Sequence, residues 1–176
     1  MSDAMPGDPT IRGSGIVIVE EPAASEDVRW CFEQFYTELA RRFEGGFEAS
    51  HALPLDSSDL TPPRGLVLIA RLGGRPVGSA ALKLHAEGVG EIKRMWVSPD
   101  ARGRGLGGRL LAALESRAVE AGKPVTRLET NGTLTEAIAM YRRRGYREVE
   151  PFNDERYADH WFEKDLTGNS DALIGP

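Results

Sequence analysis

The chain has 176 residues, with 22 Lys and Arg against 27 Asp and Glu, a formal net charge of −5 at pH 7, and 40% hydrophobic residues. Such a chain has room for one globular domain that buries roughly 70% of its unfolded surface. The acidic balance speaks against general nucleic-acid binding, no apolar run approaches the ~20 residues that cross a bilayer, and the first residues show neither the basic start nor the apolar stretch of a secretory signal.

Residues 1–14 are rich in Pro and Gly and read as a flexible leader. Residues 16–20, IVIVE, are β-branched and predict a first strand. Ser25 offers an N-cap, followed by Glu26 and Asp27 in the first turn, where carboxylates meet the positive end of a helix. Val28, Phe32, Phe35, Tyr36, Leu39 and Phe43 then recur on one helical face, and Gly45 and Gly46 stop it. Cys31 sits beside that face and is expected in the core. As the only cysteine it excludes an internal disulfide and a cysteine-rich zinc site, which favours a reducing, cytoplasmic setting. His51, His85 and His160 are scattered without metal-ligand spacing.

Residues 45–64 carry three prolines and read as irregular. Two apolar runs, 65–72 and 77–85, flank a GGRP turn and predict a β-hairpin, and 90–97 predict another strand. Leu106, Leu110, Leu111, Leu114 and Ala118 mark a second long helix, ended by Gly122 and Pro124. A strand at 125–130, a helix at 135–144 and closing strands at 146–149 and 161–166 complete the chain, with a loose tail over 167–176. The order of elements is a mixed α/β layer arrangement and not a regular βαβ repeat.

Chemistry concentrates between the strand at 90–97 and the second long helix, in Arg102, Gly103, Arg104, Gly105, Leu106, Gly107 and Gly108. Glycines allow successive backbone N–H groups to converge on one concavity. The helix start adds free donors and a positive dipole end, and Arg102, Arg104 and Arg109 add full charges. A pyrophosphate is the natural ligand of such a nest. Gly103-x-Gly105-x-x-Gly108 formally satisfies the dinucleotide fingerprint, with Glu129 about twenty residues on, so an NAD(P)-binding oxidoreductase stays open as an alternative. A nucleoside-triphosphate loop is excluded, because no Gly-Lys-Ser/Thr follows.

Arg102-x-x-Gly105-x-Gly107 resembles the Gln/Arg-x-x-Gly-x-Gly/Ala motif of the GNAT superfamily of acetyl-CoA-dependent N-acyltransferases. The resemblance extends back through EIKRMWVSPD and forward through RLLAALE, the LET strand and AIAMYRRRGY, covering roughly residues 16–166. It implies an α/β GNAT fold over residues 15–166, with a mixed, mostly antiparallel sheet, a splayed central strand pair and flanking helices. It implies acetyl transfer from acetyl-CoA to an amine of a small molecule or peptide, by direct attack in a ternary complex. The pyrophosphate would sit on the amides of residues 102–107, with Gly108 contributing, and the pantetheine arm would pair with the backbone of Met95, Trp96 and Val97. Glu91 aligns with a strand glutamate that serves as general base in part of the family, and Tyr141 with the tyrosine that meets the departing thiolate. Period-two counting sets Glu91, Lys93, Met95 and Val97 on one face unless a bulge intervenes.

Asn131 is able to hold the cofactor or to cap the Asn-Gly turn. Relatives place an Asn seven residues before the Tyr, where this chain has Leu134. Residues 142–144, three arginines, are candidates to reach the coenzyme's nucleotide phosphate. Glu38, Glu44, Glu48, Asp56 and Asp59, with Phe43, Phe47 and Trp161, are the expected surroundings of a cationic acceptor. A non-catalytic acyl-CoA sensor on the same scaffold is the other alternative, and a homodimer through the late strands is compatible with the pattern.

Overall fold

The computed structural model describes residues 15–168; the expected leader at 1–14 and the tail from 169 onward lie outside the described residues. Seven strands and three helices follow in the order β1 (Ile16–Glu21), α1 (Glu26–Arg42), β2 (Gly65–Leu72), β3 (Arg75–Leu84), β4 (Val89–Val97), α2 (Leu106–Glu120), β5 (Val125–Thr130), α3 (Thr135–Arg143), β6 (Arg147–Glu148) and β7 (His160–Asp165). The irregular stretch after α1 contributes only a one-turn 3₁₀ helix, Ala49–His51. A second such turn, Pro99–Ala101, leads out of β4. The Ser25 cap forms as the sequence indicates, its hydroxyl accepting the Val28 N–H at 3.2 Å.

The sheet runs β1-β2-β3-β4-β5-β7-β6. Every neighbouring pair is antiparallel except β4 and β5. One parallel pair in a seven-stranded sheet is at odds with the dinucleotide-binding alternative, which needs successive βαβ units.

Alternation along β2 shows how one sheet serves two cores. Leu66, Leu68 and Ala70 face the layer containing Leu110, Leu111 and Leu114 of α2, while Val67 and Ile69 face Val28, Cys31 and Phe32 of α1. Each fully buried aliphatic side chain contributes roughly 1.5–3 kcal/mol. Both faces are covered, and the functional groups emerge where the sheet itself opens.

Candidate active site

Strands β4 and β5 pair over three residues only, Val89 with Val125, Gly90 with Thr126 and Glu91 with Arg127. Beyond that point β4 stays with β3, and β5 stays with β7, so the two diverge. The inner edges of residues 92–97 and 128–130 are left without a strand partner. A cleft of about 390 Å³ opens into this gap, lined by Ile92, Lys93, Arg94 and Met95 on one side and by Leu128 and Glu129 on the other. An extended ligand carrying amides fits an edge of this kind by adding itself as a strand. Of the three residues expected on the β4 side, Met95 lines the cleft, and Trp96 and Val97 continue the same strand just beyond it.

A bulge intervenes in β4. Ser79 pairs with Trp96 and Ala81 with Lys93, so β4 carries one residue more than β3 across this interval. Arg94 absorbs it with φ 51°, a left-handed conformation that costs a non-glycine residue roughly 1 kcal/mol. The faces exchange there. Ile92, Met95 and Val97 lie toward α2, whereas Trp96 lies toward α1. The single-face reading of Glu91, Lys93, Met95 and Val97 is therefore corrected. Met95 and Val97 face α2, and the Arg94 guanidinium lies over the rings of Phe32 and Tyr36 of α1, 4.6 and 5.4 Å from their centroids.

At the end of β4 the glycine-rich loop turns into α2. Gly103 and Gly105 adopt φ 75° and 72°, and Gly105 caps the helix without a side-chain bond. Among the described residues, no group accepts the N–H of Gly103, Arg104, Gly105, Leu106, Gly107 or Gly108. Six consecutive unaccepted donors at a helix N-terminus are a suitable seat for an anion. A Cβ at Gly108 would run into the Arg144 guanidinium, so that arginine passes directly over the start of α2. Arg142 instead reaches Glu148 at 3.3 Å. Arg102 is committed through its side chain, with Nε donating to the Val97 carbonyl at 3.1 Å and Nη2 pairing with Glu38. Arg104 is exposed.

Tyr141 is buried in α3 and its hydroxyl donates to the Met95 sulfur at 3.9 Å, bridging α3 to the open edge of β4. A thioether is a weak acceptor, so this donor is available to a stronger one. Burial, and then the charge of Glu129, push the phenol well above its ordinary range.

The carboxylates arrange themselves differently from expectation. Glu91 is not among the residues lining the cleft. Lys93 Nζ lies 2.7 Å from one of its oxygens, and His85 Nε2 lies 2.6 Å and Arg127 Nη2 3.9 Å from the other. Burial raises its pKa, but Lys93 and His85 outweigh this and hold it below the usual carboxylate value. A carboxylate so surrounded is a poor proton acceptor.

Glu129 does line the cleft, with its side chain 7% exposed. Lys93 pairs with its Oε1, while its buried Oε2 has no hydrogen-bond partner. Burial keeps its pKa raised even though Lys93 pulls the other way. Sequence reasoning placed Glu129 only in the dinucleotide alternative. Its pairing with Lys93 depends on the parallel register of β4 and β5, which no local pattern encodes.

Asn131 braces the turn after β5. Its amide donates to the Tyr157 carbonyl at 2.8 Å, and its oxygen accepts the Thr133 N–H at 3.0 Å. The far wall of the cleft is aromatic, with Phe47 4.7 Å from Tyr157 and 5.5 Å from Tyr36, centroid to centroid. The expected acidic surroundings do not form. Glu38 pairs with Arg102 and Asp59 with Arg64, while Glu44, Glu48 and Asp56 lie off the lining. Phe43 and Phe47 line the cleft as expected, but Trp161 does not and donates to Asn153 instead. No cluster able to hold a metal ion occurs among the described residues, nor is any of their helices long and apolar enough to cross a membrane.

A mostly antiparallel sheet split at one parallel pair, with an amide nest at the end of the split strand, defines the acyl-CoA N-acyltransferase architecture. Residues 32–146 match the family model described as the acetyltransferase (GNAT) family. The chain belongs to that family. It is 38% identical over 120 residues to an IAA acetyltransferase of Azospirillum brasilense, covering 68% of this chain and 78% of that protein. A Klebsiella pneumoniae protein, provisionally described as an acyl-CoA N-acyltransferase, superposes with a TM-score of 0.70 at 30% identity, over 86% of this chain and 97% of its own. An Elizabethkingia anophelis GNAT family acetyltransferase with acetyl-CoA bound has the same fold, with a TM-score of 0.60 at 16% identity, over 88% of this chain and all of its own. The protein is accordingly an acyltransferase of the N-acetyltransferase type.

Proposed function

We propose that the protein transfers the acetyl group of acetyl-CoA to a primary amine by direct attack in a ternary complex. The observation that carries this reading is the sequence of open groups along one strand. Unaccepted amides stand at the end of β4, an unpaired edge runs back from them, and a buried tyrosine and a buried carboxylate flank that edge. The amides of residues 103–108 hold the pyrophosphate, with Arg144 over the same helix start. The backbone of Met95, Trp96 and Val97 takes the pantetheine arm. The thioester is then delivered to the gap between β4 and β5.

An alkylamine is protonated at neutral pH and its cation has no lone pair to attack with. Glu129 Oε2 accepts one proton from the ammonium. The freed nitrogen forms the C–N bond and the C–S bond breaks. The nitrogen loses its second proton as the amide forms. One of the two protons ends on the coenzyme sulfur and the other in solvent. Tyr141 donates a hydrogen bond to the sulfur as charge develops there. With its phenol raised above a thiol's ordinary value of about 8.5, it stabilises the thiolate without giving up its own proton. Glu91, the base expected from the sequence, acts here through Lys93, which it shares with Glu129. Asn131 holds the turn after β5 through the Tyr157 carbonyl and Thr133, and its second amide proton is available to the cofactor. The reading includes a cytoplasmic location and leaves the late strands free for a second copy, which sedimentation at micromolar concentration tests.

Calorimetry with acetyl-CoA, followed by thiol release with a panel of amines, tests the proposal. Tyr141→Phe is expected to lower kcat about 10–100-fold with acetyl-CoA affinity retained. Binding without turnover of any amine favours the sensor alternative, and no binding at all ends the reading.

A further inference from the structure

Arg94 stands in the cleft wall as a cation without a counter-ion. Among the described residues it makes no ion pair, in contrast to Arg102 with Glu38 and Arg127 with Glu91. One Nη donates to the Leu55 carbonyl at 3.0 Å, and the guanidinium carbon lies over the rings of Phe32 and Tyr36. A partly desolvated charge is costly unless an anion meets it. Neither carboxylate of the cleft lining pairs with it. Glu129 is held by Lys93, and the two oxygens of Glu155 accept the backbone N–H groups of Leu53 and Tyr157 at 2.9 and 3.2 Å. The cleft therefore presents the Arg94 guanidinium, which no carboxylate pairs with among the described residues, and Glu129 Oε2, which lacks a hydrogen-bond partner, beside an aromatic wall formed by Phe43, Phe47 and Tyr157.

We propose that the acyl acceptor is an amine bearing a carboxylate on an aromatic or otherwise apolar body, with its ammonium at Glu129 and its carboxylate at Arg94. The inference rests on acyl transfer at this cleft and narrows it to a zwitterionic, amino-acid-like acceptor. Arg94 is then a specificity residue that reads the anion, and the aromatic wall receives the side chain.

The test uses matched acceptors that differ only in the carboxylate: phenylalanine against 2-phenylethylamine, and tryptophan against tryptamine, each assayed with acetyl-CoA by thiol release. The expected result is a kcat/KM at least 10-fold higher for the carboxylate-bearing member of a pair. In Arg94→Met that ratio falls toward one, through a higher KM for the amino acid, while acetyl-CoA affinity is unchanged. Arg94→Lys retains part of the preference. A measurement independent of turnover uses 3-phenylpropanoate, which carries the anion without the amine. It is expected to raise the Tm of the wild-type protein and to leave that of Arg94→Met unmoved. Equal use of both members, preference for the neutral amine, or a ratio indifferent to Arg94 overturns the inference. So does turnover of other amines with none of these pairs, an outcome that leaves acyl transfer standing. Failure to bind acetyl-CoA removes acyl transfer and the inference with it.

Discussion

Lys93 sits between two carboxylates and divides their roles. It neutralises one oxygen of Glu129 and leaves the other open, and it adds to His85 and Arg127 around Glu91. The raised pKa of Glu129 gives a signed expectation. Below it the carboxyl is protonated and takes no proton from the amine, so kcat falls as the pH drops through that value. The acid limb therefore lies above the ordinary glutamate value of about 4.3. Glu129→Gln is expected to lower kcat and to abolish that limb in a pH–rate profile, and an unchanged limb assigns the base elsewhere. Cys31 gives a second expectation at this scale. It is fully buried between α1 and the sheet, and burial first, then Asp27, push its thiol up to about 11. Iodoacetamide should label it at the rate of unfolding and not at the rate of a free thiol, which mass spectrometry under native and denaturing conditions distinguishes. Of these residues, Cys31 was legible because helical period places it beside the apolar face of α1, and Tyr141 because it stands where the resemblance to the GNAT family sets a tyrosine. Glu129 and Arg94 were not, because the first depends on a register between strands 36 residues apart at Lys93 and the second on a bulge.

At the scale of elements, chain order and helix boundaries were readable from caps, glycines and periodicity, since these are local signals. What local signals omit is the extra residue in β4 and the early parting of β4 from β5. Both arise from how far neighbouring strands can follow a twisted partner. The start of β2 shows how tightly that pairing is made. A Cβ at Gly65 would meet the backbone carbonyl oxygens of Asp59 and Leu82, neither of which is a flexible side-chain end. Gly65→Ala is expected to cost about 2–4 kcal/mol by denaturant titration, in the range of backbone clashes and overpacking. A change below 0.5 kcal/mol shows that the loop before β2 yields easily.

Across the whole molecule, the acceptor side is closed by segments far apart in the chain. The Tyr157 hydroxyl accepts the Glu48 N–H at 3.0 Å, and Glu155 accepts the Leu53 N–H at 2.9 Å, so the irregular stretch after α1 is fastened to the loop before β7. Tyr157→Phe releases one of these ties. It is expected to raise the acceptor KM several-fold with acetyl-CoA affinity unchanged, and equal kinetics show that Glu155 alone fastens the strap. The sequence did place Phe43 and Phe47 at the acceptor. It put carboxylates there as well, because counting charges along a segment does not reveal which of them already face an arginine across the fold.

The three-residue contact between β4 and β5 has a consequence for cohesion. Strands β1–β4 lie on one side of that short seam and β5–β7 on the other, and the core beneath it carries the remaining connection. A thioester substrate laid along the open rim stitches the two sides together like a missing rung. Deuterium uptake at residues 92–97 and 128–130 should therefore slow more on saturation with acetyl-CoA than uptake in the β2–β3 hairpin, both of whose strands have a neighbour on each side.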